Sequence, residues 1–104
     1  MDSNMTDKKR MDHRLIFEQA LKQWGDVLQY DMVVEECAEL IHAINAYKRG
    51  RATADQVLDE IADVQIMLNQ MRVVFGMTET HIVYHRKLKR LHERLIDAGW
   101  IGER

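Results

Sequence analysis

The stretch ADQVLDEIADVQIMLNQMRVVF, residues 54–75, decides the fold class. Val57, Leu58, Ile61, Ala62, Val64, Ile66, Met67, Leu68, Met71, Val73 and Val74 cover far more than one stripe of a helix. A helix that is apolar nearly all round is normally buried on most sides. Thr53 stands before it as an N-cap, and Gln56 three residues later completes a possible capping box. Gly76 follows as a stop.

Working outward, a helix over about Asp26 to Arg49 carries Val27, Leu28, Met32, Val33, Val34, Cys37, Leu40, Ile41, Ile44 and Tyr47. Gly50 suits its C-terminal end, because glycine accepts a left-handed backbone without a side-chain clash. Lys48 and Arg49 suit the negative end of its dipole. Before it, Asp12 to Trp24 reads as a helix with one apolar face (Leu15, Ile16, Ala20, Leu21) that stops at Gly25. After it, Thr78 is the expected cap of a fourth helix reaching about Ala98, with Tyr84, Leu88, Leu91 and Leu95 as its seam. Helices of this length joined by short turns predict an all-α, antiparallel four-helix bundle. Residues 12–104 are expected to form that single helical domain, after a flexible polar segment over 1–11.

A chain of 104 residues has little room for a private core, yet 46% of it is hydrophobic. A bundle whose helices are shared across a homodimer or homotetramer resolves that conflict. Fifteen basic against 17 acidic residues leave a net charge of −2, which makes no general case for a nucleic-acid partner. The single cysteine, Cys37, sits in an apolar helical stretch and reads as a small buried side chain. Residues 1–12 are too polar for a secretory leader, and no apolar run approaches the ~20 residues that span a bilayer. The expected compartment is the cytoplasm, with no membrane partner.

The informative acids lie inside the two most apolar helices. Glu35-Glu36-Cys37-Ala38-Glu39 is in the second, and Asp59-Glu60-Ile61-Ala62-Asp63 is in the third. Acids three residues apart share a helix face. Counting from Gly50, an antiparallel hairpin sets Glu39 beside Glu60 and Glu36 beside Asp63. Two like charges ~5 Å apart repel by roughly 3 kcal/mol at an effective dielectric of 20. A divalent cation removes that cost, and an all-oxygen donor set suits Mg²⁺ or Mn²⁺ better than zinc.

The run Val34-Glu35-Glu36-Cys37-Ala38-Glu39-Leu40-Ile41, followed by Asp59-Glu60-Ile61-Ala62-Asp63-Val64, resembles the signature of the all-α NTP pyrophosphatases, the MazG-like group. The resemblance covers residues 24–75 firmly and the fourth helix loosely. It implies an oligomeric, Mg²⁺-dependent nucleoside triphosphate pyrophosphohydrolase that yields a monophosphate and pyrophosphate. It assigns the metal to Glu36, Glu39, Glu60 and Asp63, and a water-orienting role to Glu35 or to one of the ligands, Glu39 among them. Some relatives carry an aromatic residue one turn after the final acid, where this chain has Met67. The residue types suit the chemistry, since phosphoryl transfer needs charge neutralisation and alignment more than covalent help.

Substrate contacts are expected from Lys87, Arg90 and Arg94 on the basic fourth helix, from Trp24 by stacking on a base, and from Asn69 at a sugar hydroxyl. Lys48, Arg49 and Arg51 beside the turn come second to these. His81, His85 and His92 lack further ligands for zinc and read as packing or surface residues. Two rival readings differ in class. Glu39-Leu40-Ile41-His42 is a literal Glu-x-x-His, as in ferritin-like di-metal carboxylate proteins, but the chain has no second one. A non-enzymatic helical interaction protein would use the same acids to contact a basic partner.

Overall fold

The computed structural model describes residues 11–102. The N-terminal segment expected to be flexible lies outside the described residues apart from Met11. The described chain contains four helices and no strand: α1 (His13–Trp24), α2 (Asp26–Lys48), α3 (Ala54–Phe75) and α4 (Met77–Asp97). It forms two compact units, one running up to Val74 and the other starting at Phe75. Among the described residues no helix is long and apolar enough to cross a membrane.

Local chemistry explains each boundary in the first unit. The Asp12 carboxylate accepts the Leu15 N–H at 3.2 Å and caps α1, a contact worth ~1 kcal/mol. Gly25, at φ 81°, donates its N–H to the Leu21 carbonyl and lets the chain turn into α2. At the other end of α2, Gly50 lies at φ 72° and donates to the Tyr47 carbonyl at 3.0 Å, while Arg51 donates to Ala46 at 2.8 Å. This pair of bonds is a Schellman motif, which satisfies two carbonyls the helix leaves open. The chain then enters α3 through a reciprocal cap. The Thr53 hydroxyl accepts the Gln56 N–H at 3.2 Å, and the Gln56 side-chain carbonyl accepts the Thr53 N–H at 2.8 Å. Both ends of the five-residue connection 49–53 are therefore tied by hydrogen bonds.

The buried residues of this unit follow helical spacing. Gln29 and Ala43 are buried on α2, and Glu36 stands seven residues from each, on the same face. On α3, Val64, Met67 and Gln70 are buried. Glu60 lies seven residues before Met67, and Asp63 seven before Gln70. The acids of both motifs thus share the faces that carry the buried seam. The core of a single chain is thin, with Ala43, Val64 and Met67 its only buried hydrophobic side chains among the described residues. Val27, Val34 and Ile41, seven residues apart on α2, are exposed by 74%, 70% and 62%. Leu58, Ile66 and Leu68 of α3 are exposed as well. The apolar surround of α3 is therefore only partly covered within one chain.

In the second unit α4 begins at Met77, one residue before the expected cap Thr78. Gly76, at φ 113°, is the capping residue, and no side chain caps the helix. The reason is that the same glycine both stops α3 and restarts the chain. The Thr80 hydroxyl donates back to the Gly76 carbonyl at 2.8 Å. Tyr84, Leu88, Leu91 and Leu95 line one side of α4 and are all exposed. Its histidines make ring contacts, His81 with His85 at 4.3 Å and His92 with Trp100 at 5.5 Å.

Candidate metal centre

Glu36 of α2 meets Glu60 and Asp63 of α3. Each offers one carboxylate oxygen, and the three oxygens lie within 4.8 Å of one another. Glu36 and Glu60 are half-buried, and Asp63 is exposed. One oxygen of Glu36 and one of Glu60, Oε2 in each, are shielded from solvent and accept no hydrogen bond. Such orphaned acceptors are rare in folded proteins and call for a specific partner.

The electrostatics point the same way. Burial pushes the Glu36 carboxyl above its ordinary value of 4.5, and the charges of Glu39, Asp63, Glu60 and Glu35 push it further. Burial likewise raises Glu60, helped by the charges of Glu39 and Asp63 and by a hydrogen bond to Glu39 that is available when one carboxyl is protonated. Glu39 lies outside the 4.8 Å group and is exposed, yet it is the strongest charge acting on both half-buried acids. The donor set is oxygen only, which fits a hard divalent cation. An ion holding oxygens at ~2.1 Å spans at most about 4.2 Å between opposite ligands. Oxygens held within 4.8 Å of one another are therefore on the scale of a magnesium sphere.

A cavity of about 620 Å³ opens beside the cluster, on its Gly50 side. Glu35, Glu39, Asp59 and Glu60 line it, together with His42 and Arg51. Glu35 and Glu39 were expected at the site from their motif. Asp59 was not assigned a role there, while His42 entered only through the Glu-x-x-His of the di-metal reading and Arg51 only as a second-rank substrate contact. Their signal is spacing alone: Asp59 precedes Glu60, and His42 follows Glu39 by three residues. Arg51 had only its place beside the turn as a signal, because a linear sequence does not reveal the path of that turn.

Of the other candidates in the first unit, neither Asn69 nor Trp24 is in the wall of this cavity. Asn69 lines a separate cleft between α1 and α3, with Ile16 and Phe17 across from it, and its side-chain oxygen accepts a hydrogen bond from Arg72 at 3.4 Å. Trp24, at the end of α1, is 58% exposed. Lys87, Arg90 and Arg94 are exposed on α4, in the second unit. Cys37 is half-buried and free. Comparison with family models, with curated proteins and with solved structures returned no match for this chain.

Proposed function

We infer that this chain is a divalent-metal-dependent nucleoside triphosphate pyrophosphohydrolase of the MazG-like kind. The observation that carries the reading is the pair of orphaned, shielded oxygens on Glu36 and Glu60 beside Asp63. Three acids held close with no donor among them are set up for a cation, and their two motifs resemble those of the pyrophosphatases. Glu36, Glu39, Glu60 and Asp63 would hold Mg²⁺ or Mn²⁺. Bound there, the ion supplies positive charge against the phosphate oxygens, where phosphoryl transfer needs it.

The residues divide the remaining work. Glu36 and Glu60, on the two buried seams, keep the α2 and α3 ligands at a fixed separation. Glu39 reaches into the cavity and completes the acid set from the solvent side. Glu35, exposed at the cavity wall, would accept a hydrogen bond from the attacking water and orient it. The products would be a nucleoside monophosphate and pyrophosphate. The test is a panel of ribo- and deoxyribonucleoside triphosphates, ordinary and modified, incubated with the purified protein and Mg²⁺. Pyrophosphate release in step with monophosphate is expected for at least one; orthophosphate with a diphosphate would point to a different hydrolase. Purified protein carrying bound iron would instead favour the di-metal reading built on Glu39 and His42.

The assembly belongs to the same reading. The stripe Val27, Val34 and Ile41 repeats every seven residues on α2, the spacing at which two helices pack along a seam. A second copy of the chain would cover it, giving an antiparallel bundle shared in a homodimer or homotetramer with two-fold symmetry. Light scattering at micromolar concentration is expected to return at least twice the chain mass of 12.3 kDa. A monomeric mass would overturn this part. Val34→Glu, which places a charge in the stripe, is expected to shift the assembly toward monomer.

A further inference from the structure

Among the described residues, the cavity beside the acid cluster has one cationic side chain in its wall. That is Arg51, set among Glu35, Glu39, Asp59 and Glu60. Its backbone is pinned, because the Arg51 N–H is committed to the Ala46 carbonyl at 2.8 Å. Its side chain is exposed and makes no hydrogen bond or ion pair among the described residues. A guanidinium in a wall of four carboxylates that pairs with none of them is available to a ligand. The remaining surface includes Ala38, Ala43 and Ala52, whose small side chains leave the space open.

What could enter is decided by charge. The C-terminal end of α2 and the N-terminal end of α3 both lie at this turn, and their dipoles oppose each other. An anion there gains little from the helices and is repelled by the carboxylates. It needs a side-chain cation, and a planar guanidinium fork matches the oxygens of a phosphate two at a time.

We propose that Arg51 grips the terminal diphosphate of the substrate, so that the polyphosphate runs from the acid cluster toward the Gly50 turn and the nucleoside points away from it. This rests on the pyrophosphohydrolase reading and adds a direction to it. Arg51 is then the residue that recognises the leaving pyrophosphate, in the same unit as the acids.

The test uses the full chain, Mn²⁺ as a spectroscopic probe of the metal site, and inorganic pyrophosphate as the ligand. Arg51→Gln is expected to bind Mn²⁺ as the unmodified chain does. In the presence of saturating Mn²⁺ it is expected to bind pyrophosphate about tenfold or more weakly, the scale of one charged hydrogen bond. Arg51→Lys, which keeps the charge and loses the fork, should fall between. Lys22→Gln, the same charge change on α1 and outside this cavity, should leave both affinities alone. Equal pyrophosphate affinity in Arg51→Gln and the unmodified chain, with Mn²⁺ bound in both, overturns the role of Arg51 and leaves the metal site standing. Failure of the unmodified chain to bind Mn²⁺ at all overturns both.

Discussion

Glu39→Gln is expected to lower Mg²⁺-dependent turnover of the preferred triphosphate by about two orders of magnitude or more, which corresponds to ~3 kcal/mol of lost transition-state stabilisation. The substitution keeps the shape of the side chain and removes one charge from the ligand set. Asp63→Asn is expected to behave alike. Neither change should damage the fold. Glu39 is the strongest charge pressing on both Glu36 and Glu60, so removing it relieves repulsion in the metal-free protein. The metal-free Glu39→Gln protein should therefore melt at the same temperature as the unmodified chain or higher. Loss of activity with no loss of stability separates a functional acid from a structural one. Glu18→Gln on α1 is the contrasting control. Among the described residues Glu18 pairs only with Arg14, at 3.2 Å on the surface, and exposed i,i+4 pairs contribute ~0.3–0.5 kcal/mol. Full turnover in both Glu39→Gln and Asp63→Asn would show that the reaction does not depend on this cluster.

The stability of the metal-free protein is expected to fall as pH rises, and Mg²⁺ should cancel the fall. In the unfolded chain Glu36 and Glu60 titrate at the ordinary 4.5, whereas in the fold both are raised. Between those two values the folded state holds more protons than the unfolded state, so unfolding becomes easier with rising pH. Below the unfolded value both states are protonated and the penalty vanishes. Above the raised values both are ionised and the full penalty remains. Thermal melts in chelator should thus give a higher Tm at pH 5 than at pH 7.5. Mg²⁺ takes the place of the protons, so its stabilisation should be larger at pH 7.5 than at pH 5. At a hundredfold excess over its Kd a ligand adds ~2.7 kcal/mol, or roughly 10 °C or more for a chain of this size. Glu60→Gln should flatten the pH dependence in chelator and weaken the response to Mg²⁺. A Tm that ignores Mg²⁺ at pH 7.5 would argue that the acids form a solvated face.

Much of this architecture can be read from residues alone, and for local reasons. The cap at Thr53 with Gln56, the stop at Gly50 and the helix between Ala54 and Phe75 depend on contacts within four residues along the chain. Counting from Gly50 puts Glu36 level with Asp63, because helical rise per residue is the same on both sides of a short turn. Where two local signals compete, the reading slips: Thr78 looks like a cap, but Gly76 already serves, and α4 starts two residues early.

Tertiary structure alone decides the rest. Helical periodicity gives each side chain a direction about its own axis, and it says nothing about distance across to a neighbour. Glu39 and Glu36 have the same motif standing, yet only Glu36 joins Glu60 and Asp63 within 4.8 Å. Asn69 follows Asp63 on the same helix but is turned to the α1–α3 cleft, because six residues rotate it well away from the acid face. Arg51 enters the cavity through the path of a turn, which carries no period at all. The shielding of one oxygen each on Glu36 and Glu60 depends on which surfaces close over them in space. The chemistry of the acids was thus set by residue type and spacing, while which of them crowd together, and which face the open cavity, was set by the packing of α2 on α3.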